Sequence, residues 1–238
     1  MRMILPSRFP HKTHFMKWWQ KYLSYLTEIH IESAPSEYNP HLYVCLRNGR
    51  YQLCTDAAVY SYADKYDNFV TAFQEVDLDR LPGNRVLILG FGLGSIPYML
   101  EHKFGRRYEY TGVEIDEEVL YLATKYALPD LQSPLELVRA DALLFLEMRE
   151  ERYDLICVDI FEDSTVPEKF ETPEFFALLR ERLQPGGLIL YNRLSTSIDH
   201  VKRNRRLLDR AMRPHFPEAT LIETRNNHIL TNRPPRFG

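Results

Sequence analysis

The stretch VLILGFGLGS, residues 86 to 95, constrains this chain of 238 residues more than any other. An apolar run that breaks into glycine at alternate positions, Gly90, Gly92 and Gly94, reads as a strand ending in a loop whose backbone N–H groups are open to a ligand. Three kinds of ligand use such a loop: a nucleoside triphosphate, a dinucleotide or an adenosyl sulfonium. A triphosphate loop ends in Gly-Lys-Ser/Thr to supply a cation and a metal ligand, and here Gly94 is followed by Ser95, Ile96 and Pro97. The dinucleotide fingerprint places a third glycine at its sixth position for close helix packing, where this chain has Ser95. The adenosyl sulfonium stays open, beside the plain reading of a tight strand-to-helix turn.

The pattern around the loop fixes the fold class. From residue 85 onward, strand-like runs (RVLILG, YEYTGVEI, LELVRAD, YDLICVD, GLILYN) alternate with helical ones. Asp116 is a candidate N-cap, Thr172 another with Pro173 at the first helical position, and a basic helix is expected near 198 to 212. Continuous apolar strands alternating with helices specify a parallel sheet covered on both faces. The last two runs, ATLIET and NHILTNR, are joined by a turn too short for a crossover helix, so they pair antiparallel. Before residue 85, Phe15, Trp18 or Trp19, Tyr22 and Leu26 recur at helical spacing, followed by three strand-like runs, two of them joined by the turn signal Asn48-Gly49, and a helix over about 62 to 76. The expected architecture is α/β: a doubly wound, mostly parallel sheet with an antiparallel C-terminal hairpin over 56–238, preceded by a helix and small antiparallel β unit over 1–55.

Composition excludes several classes. A net charge of −3 argues against a nucleic-acid partner, and Lys17, Gln20 and Lys21 interrupt any N-terminal run long enough for a signal peptide or membrane span. Cys45, Cys54 and Cys157 have neither disulfide nor metal-ligand spacing, which suits a cytoplasmic protein. Carboxylates cluster at the carboxyl ends of the expected strands, where open α/β sheets bind ligands. Glu114 ends the second strand, placed to accept both hydroxyls of a ribose. Asp141, beside Ala142, ends the third, as an adenine ligand or as the cap of the helix that follows. Asp159 ends the fourth.

The segments VLILGFGLGS, YTGVEID, VRADALLFL, YDLICVDIFED and FETPEFFALLRERLQPGGLILYN together resemble the S-adenosylmethionine-dependent class I transferases. Within these the chain is most similar to the spermidine synthase (aminopropyltransferase) family, with Ile88 where ordinary methyltransferases carry an acid two places before the first glycine. The resemblance implies a methyltransferase-like Rossmann fold and an adenosyl site at Gly90, Gly92, Gly94, Glu114, Asp141, Ala142 and Asp159. Through RNGRYQLCT and YSYADKY it also implies Gln52 on the cofactor and Tyr62 and Asp64 on the substrate. The chain departs from the family at Leu93, where the glycine loop usually carries an acid, and at DIFED, where the family's catalytic loop runs Asp-Ser-Ser-Asp-Pro.

Transfer from a sulfonium is an in-line displacement that needs oriented partners and a base for the acceptor's proton. Asp159 is the candidate base, with Glu162 or Asp163 as helper. Tyr62 either packs in the core or faces a substrate cation, where a ring offers roughly 0.5 to 2 kcal/mol. The acidic rim favours a cationic acceptor. Because of Leu93, the expectation is a methyltransferase using S-adenosylmethionine on a small, amine-bearing acceptor. An aminopropyltransferase using decarboxylated S-adenosylmethionine is the alternative, and a non-catalytic nucleoside-binding or scaffold protein the third reading. The aromatic N-terminal unit is a candidate homodimer contact. Lys202, Arg203, Arg205, Arg206 and Arg210 read as a solvated helix face or as a site for an acidic partner.

Overall fold

A computed structural model describes residues 16–39, 41–55, 59–162 and 165–236. Phe15 and Asp163, singled out above, lie outside the described residues. The N-terminal unit consists of α1 (Trp18–Leu23) and a four-stranded antiparallel sheet, β1 (Ile29–Ala34), β2 (Leu42–Arg47), β3 (Arg50–Cys54) and β4 (Val59–Ser61), in that order. Asn48 and Gly49 both take positive φ, 50° and 70°, which makes the tight β2–β3 hairpin their sequence implies. The small sheet has a fourth strand beyond the three runs expected. β4 pairs with β3, so a boundary at residue 55 would cut one sheet in two.

The chain then forms α2 (Asp67–Glu75), β5 (Arg85–Leu89), α3 (Ser95–His102), β6 (Glu109–Glu114), α4 (Glu117–Tyr126), β7 (Leu135–Arg139) and α5 (Ala142–Met148). It continues through β8 (Tyr153–Val158), α6 (Pro173–Arg182), β9 (Leu183–Leu194), α7 (Ile198–Leu207), β10 (Thr220–Glu223) and β11 (Asn227–Thr231). The helix expected from residue 62 begins only at Asp67, because Ala63–Lys65 is a single 3-10 turn with Ala63 at φ 44°.

The second sheet has the order β10-β11-β9-β8-β5-β6-β7, with β5 to β9 parallel and β11 antiparallel to both its neighbours. Its continuous apolar strands serve two cores at once. Val86, Ile88, Leu155, Cys157, Leu188 and Leu190 pack on the α2, α3 and α4 side, and Leu87, Leu89, Ile156, Val158, Ile189 and Tyr191 on the α5, α6 and α7 side. On the last hairpin Ile222 and Ile229 are buried and Leu221 is half-buried. On α7, Leu207 is buried while Lys202, Arg205 and Arg206 are exposed and Arg203 pairs with Glu171.

From β5 the chain runs outward through β6 to β7, then returns to lay β8 on the other side of β5. That reversal opens a crevice beyond the carboxyl ends of β5 and β8. The N-terminal sheet closes one side of it. Glu32 of β1 accepts from Lys125 (2.6 Å), Tyr121 (3.2 Å) and Tyr126 of α4, and the Ser61 and Ser95 hydroxyls meet at 2.6 Å.

Candidate active site

The crevice is a cavity of about 510 Å³, within the ordinary range for a small-molecule site. Its wall at the switch point is the glycine loop. Gly90 has φ 85°, and a Cβ there would collide with the backbone carbonyl of Asp159, so only glycine lets β5 and β8 end this close together. Gly92 N–H donates to Glu114 Oε2 (3.2 Å), while Ile115 and Asp116 N–H donate to Oε1 (2.9 and 3.2 Å). Burial raises the Glu114 carboxyl above its usual value, with these three N–H groups and the charge of Asp116 acting in opposite directions.

Asp116 is a cap and a tether. It accepts from Glu118 N–H (3.0 Å) at the start of α4, and from Ser36 Oγ (2.5 Å) and Asn39 Nδ2 (3.0 Å) of the N-terminal unit. Asp141 is the cap of α5, Oδ1 accepting from Leu143 and Leu144 N–H, while Oδ2 lies in the cavity wall bonded to Lys169 Nζ at 2.5 Å. Burial would raise its carboxyl, but Lys169 and the two N–H groups outweigh that and hold it below the ordinary value.

Asp159 forms the floor. Tyr66 O–H (3.1 Å) and Asn192 Nδ2 (2.8 Å) both donate to Oδ1, and Asn192 Oδ1 accepts from Asn227 Nδ2 (2.9 Å). Oδ2 has no hydrogen-bond donor among the described residues. Burial pushes the Asp159 carboxyl up to about 7, the charge of Glu114 adding to it and the Asn192 and Tyr66 bonds opposing it. Burial, with the neighbouring Asp159 charge, also lifts the Tyr66 phenol well above its usual value, so Tyr66 stays a donor.

The cavity lining includes Gln52, Tyr62, Gly90, Gly92, Glu114, Asp141, Ala142, Asp159 and Glu162. Tyr62 is half-buried, its hydroxyl accepting from Asn48 Nδ2 (2.8 Å), and Glu162 is exposed at the rim. Two expected residues are not brought there. Asp64 is turned to Arg50, with Nε donating to Oδ1 at 2.8 Å, and does not line the cavity. Gly94 caps α3 in the left-handed conformation, packed under the Phe91 ring. Leu93 is buried in the core and lines no part of the cavity, so its side chain carries no information about the donor's charge.

Sequence reasoning missed Tyr66, Asn192, Asn227 and Lys169. Asn192 looks like one more residue of an apolar strand, and only the pairing of Val158 with Tyr191 places it beside Asp159. Tyr66 carried a weak signal, a second tyrosine in YADKY, which the helix assigned over it concealed.

A family model described as Spermine/spermidine synthase domain matches residues 73–223. A probable polyamine aminopropyl transferase of Bifidobacterium longum is 35% identical over 109 residues, 46% of this chain and 24% of that protein. A polyamine aminopropyltransferase of Vibrio vulnificus is 29% identical over 116 residues, 48% of this chain and 38% of the relative. The matched stretch thus spans well under half the length of these curated relatives. In fold the chain is similar to the spermidine synthase of Thermotoga maritima, with a TM-score of 0.64, 17% identity, and coverage of 85% of this chain and 72% of the other. These findings overturn the methyltransferase expected from Leu93, because the matching family is described by spermine and spermidine synthase and both relatives are named for aminopropyl transfer. By the extent and content of that match, the chain belongs to the spermine/spermidine synthase domain family.

Proposed function

We propose that this protein transfers an aminopropyl group from decarboxylated S-adenosylmethionine to a small primary amine. The observation that carries the reading is Asp159, a carboxyl on the cavity floor, held through one oxygen and pushed up to about 7. The sulfonium donor supplies an activated propyl carbon: the amine lone pair forms the new C–N bond as the C–S bond breaks, and the thioether leaves neutral. An ammonium has no lone pair, so one proton must depart first. Asp159 Oδ2 takes it, and a base with a value near the working pH is suited to that transfer. Tyr66 and Asn192 hold the carboxylate in place so that orientation is set before the acceptor arrives.

The other half of the cavity suits the donor. Glu114, already oriented by three N–H groups, presents carboxylate oxygen to the ribose hydroxyls, and Gly90 and Gly92 permit close approach of the backbone. Asp67, Asp159 and Glu162 line the cavity on the acceptor side, a negative surrounding for a cationic amine, with the Tyr62 ring nearby. An inert nucleoside-binding protein has no use for a buried carboxyl pushed up to about 7 with one oxygen left open to the cavity, which weighs against that alternative.

The reading extends to the setting of the protein. Cys45, Cys54 and Cys157 are free and buried, which supports the cytoplasm. The N-terminal sheet and the larger sheet are taken as two domains meeting near residue 61, and exposed Trp18, Tyr22 and Leu26 of the N-terminal unit support a homodimer contact there, which sedimentation would measure. The test of the activity is release of methylthioadenosine from decarboxylated S-adenosylmethionine in the presence of putrescine, followed by chromatography. Turnover with intact S-adenosylmethionine and none with the decarboxylated donor would overturn the proposal.

A further inference from the structure

A second cavity, of about 780 Å³, opens at the opposite end of the strands of the large sheet, where β8 and β9 begin and β11 ends. Arg152, Arg180, His215 and Arg233 line it, together with the Gly186–Gly187 turn. Its back wall is braced. Asn232 accepts from Ile189 N–H (2.8 Å) and donates to the Gly187 carbonyl (3.1 Å), fixing the turn against the end of β11. Arg233 Nη1 donates to the Gly186 carbonyl (3.1 Å), which sets the plane of its guanidinium.

The charges here are unbalanced. Arg233 Nη2 is buried and has no acceptor, an expensive state for a charged donor. Burial lowers its guanidinium below the ordinary value, and neighbouring Arg80 adds to that; Asp77 opposes it but is already shared between Arg80 and Arg236. Arg152 and Arg180 are exposed, with no ion pair among the described residues. Two carboxylates also line the cavity, Glu181, which is paired with Arg182, and Glu218, against three arginines in the same lining. Gly186 leaves open space where a side chain would stand.

We propose that this cavity binds a small metabolite through a phosphate or carboxylate group seated on Arg233, with Arg180 and Arg152 closing over it. Planar guanidinium forks match the oxygens of either group, and the volume suits a molecule of sugar-phosphate or tricarboxylate size. The site lies at the far end of the strands from Asp159 and shares no lining residue with the transferase cavity.

Calorimetric titration of the full chain at constant ionic strength, with inorganic phosphate, a sugar phosphate and citrate, tests the proposal. Binding of at least one probe is expected, weakened tenfold or more in Arg233→Gln and in Arg180→Gln and unchanged in Asp159→Asn. Preference for the sugar phosphate over citrate would assign the phosphate group, and the reverse the carboxylate. Should Arg233→Gln fail to give a cooperative melt, the exposed Arg180→Gln decides. No heat with any probe, or a folded Arg180→Gln that binds as tightly as the parent, would overturn the site.

Discussion

Asp159 carries two properties that separate in experiment. As the proposed base it must be deprotonated, so turnover at saturating donor should rise with pH through about 7 and then level off. Asp159→Asn keeps an oxygen to accept from Tyr66 and Asn192 but takes no proton. It should cost about 10²- to 10⁴-fold in kcat while leaving affinity for methylthioadenosine intact. Stability should move the other way. A carboxyl raised in the folded state binds its proton more tightly there than in the unfolded chain, so its contribution is fully present below the unfolded value of about 4 and is lost as pH rises toward 7. Asp159→Asn should therefore melt higher than the parent at pH 8, by at most about 4 kcal/mol, and show little gain at pH 4. Equal melting differences at both pH values would mean that the carboxyl is not held near 7. If Glu114 holds the ribose as proposed, Glu114→Ala removes those charge-assisted contacts and also releases the Gly92 N–H. Calorimetry should show methylthioadenosine binding weakened by roughly 1.5 to 3 kcal/mol, and an unchanged Kd would place the ribose elsewhere.

Two elements build the cavity, and each can be broken by itself. The glycine loop depends on Gly90, whose positive φ and contact with the Asp159 carbonyl leave no room for a methyl group. Gly90→Ala should separate the ends of β5 and β8, at a cost on the order of 1 to 3 kcal/mol of stability, and donor affinity should fall with it. A variant that melts and binds like the parent would show the loop to be pliant. The β10–β11 hairpin has a different role. All five residues of β11 are buried, and Asn227 at its start feeds the amide chain that ends on Asp159. Truncation after Pro217 would strip the edge of β9 and uncover Leu190 and Tyr191, so it should give an insoluble or molten chain; a soluble truncation with a cooperative melt would make the hairpin an appendage.

At the scale of the whole molecule, one buried carboxylate, Asp116, ties the N-terminal unit to the large sheet beside the Glu32 and Ser61–Ser95 contacts. Asp116 caps α4 and accepts from Ser36 and Asn39 across the cavity mouth, so Asp116→Ala should cost roughly 2 to 4 kcal/mol and loosen the N-terminal unit, read by denaturant melts and by hydrogen exchange over residues 29–39. Much of this architecture was legible in the sequence. Periodicity specified the parallel sheet, because a strand buried on both faces must be apolar at every position, and Asn48-Gly49 specified its hairpin because both residues accept positive φ. The acids at the ends of β6, β7 and β8 were likewise visible, since strand ends in such a sheet face one crevice. What the linear chain could not show was which polar residues meet. Asp64 and Tyr66 are equally polar neighbours in one short turn, yet the backbone sends the first to Arg50 and the second to Asp159. Leu93 sits inside the glycine loop by sequence and inside the core by structure. Asn192 gains its role only from strand register, and the carboxyl it holds moves toward neutrality only because tertiary packing removes water from around it, which no local pattern of residues encodes.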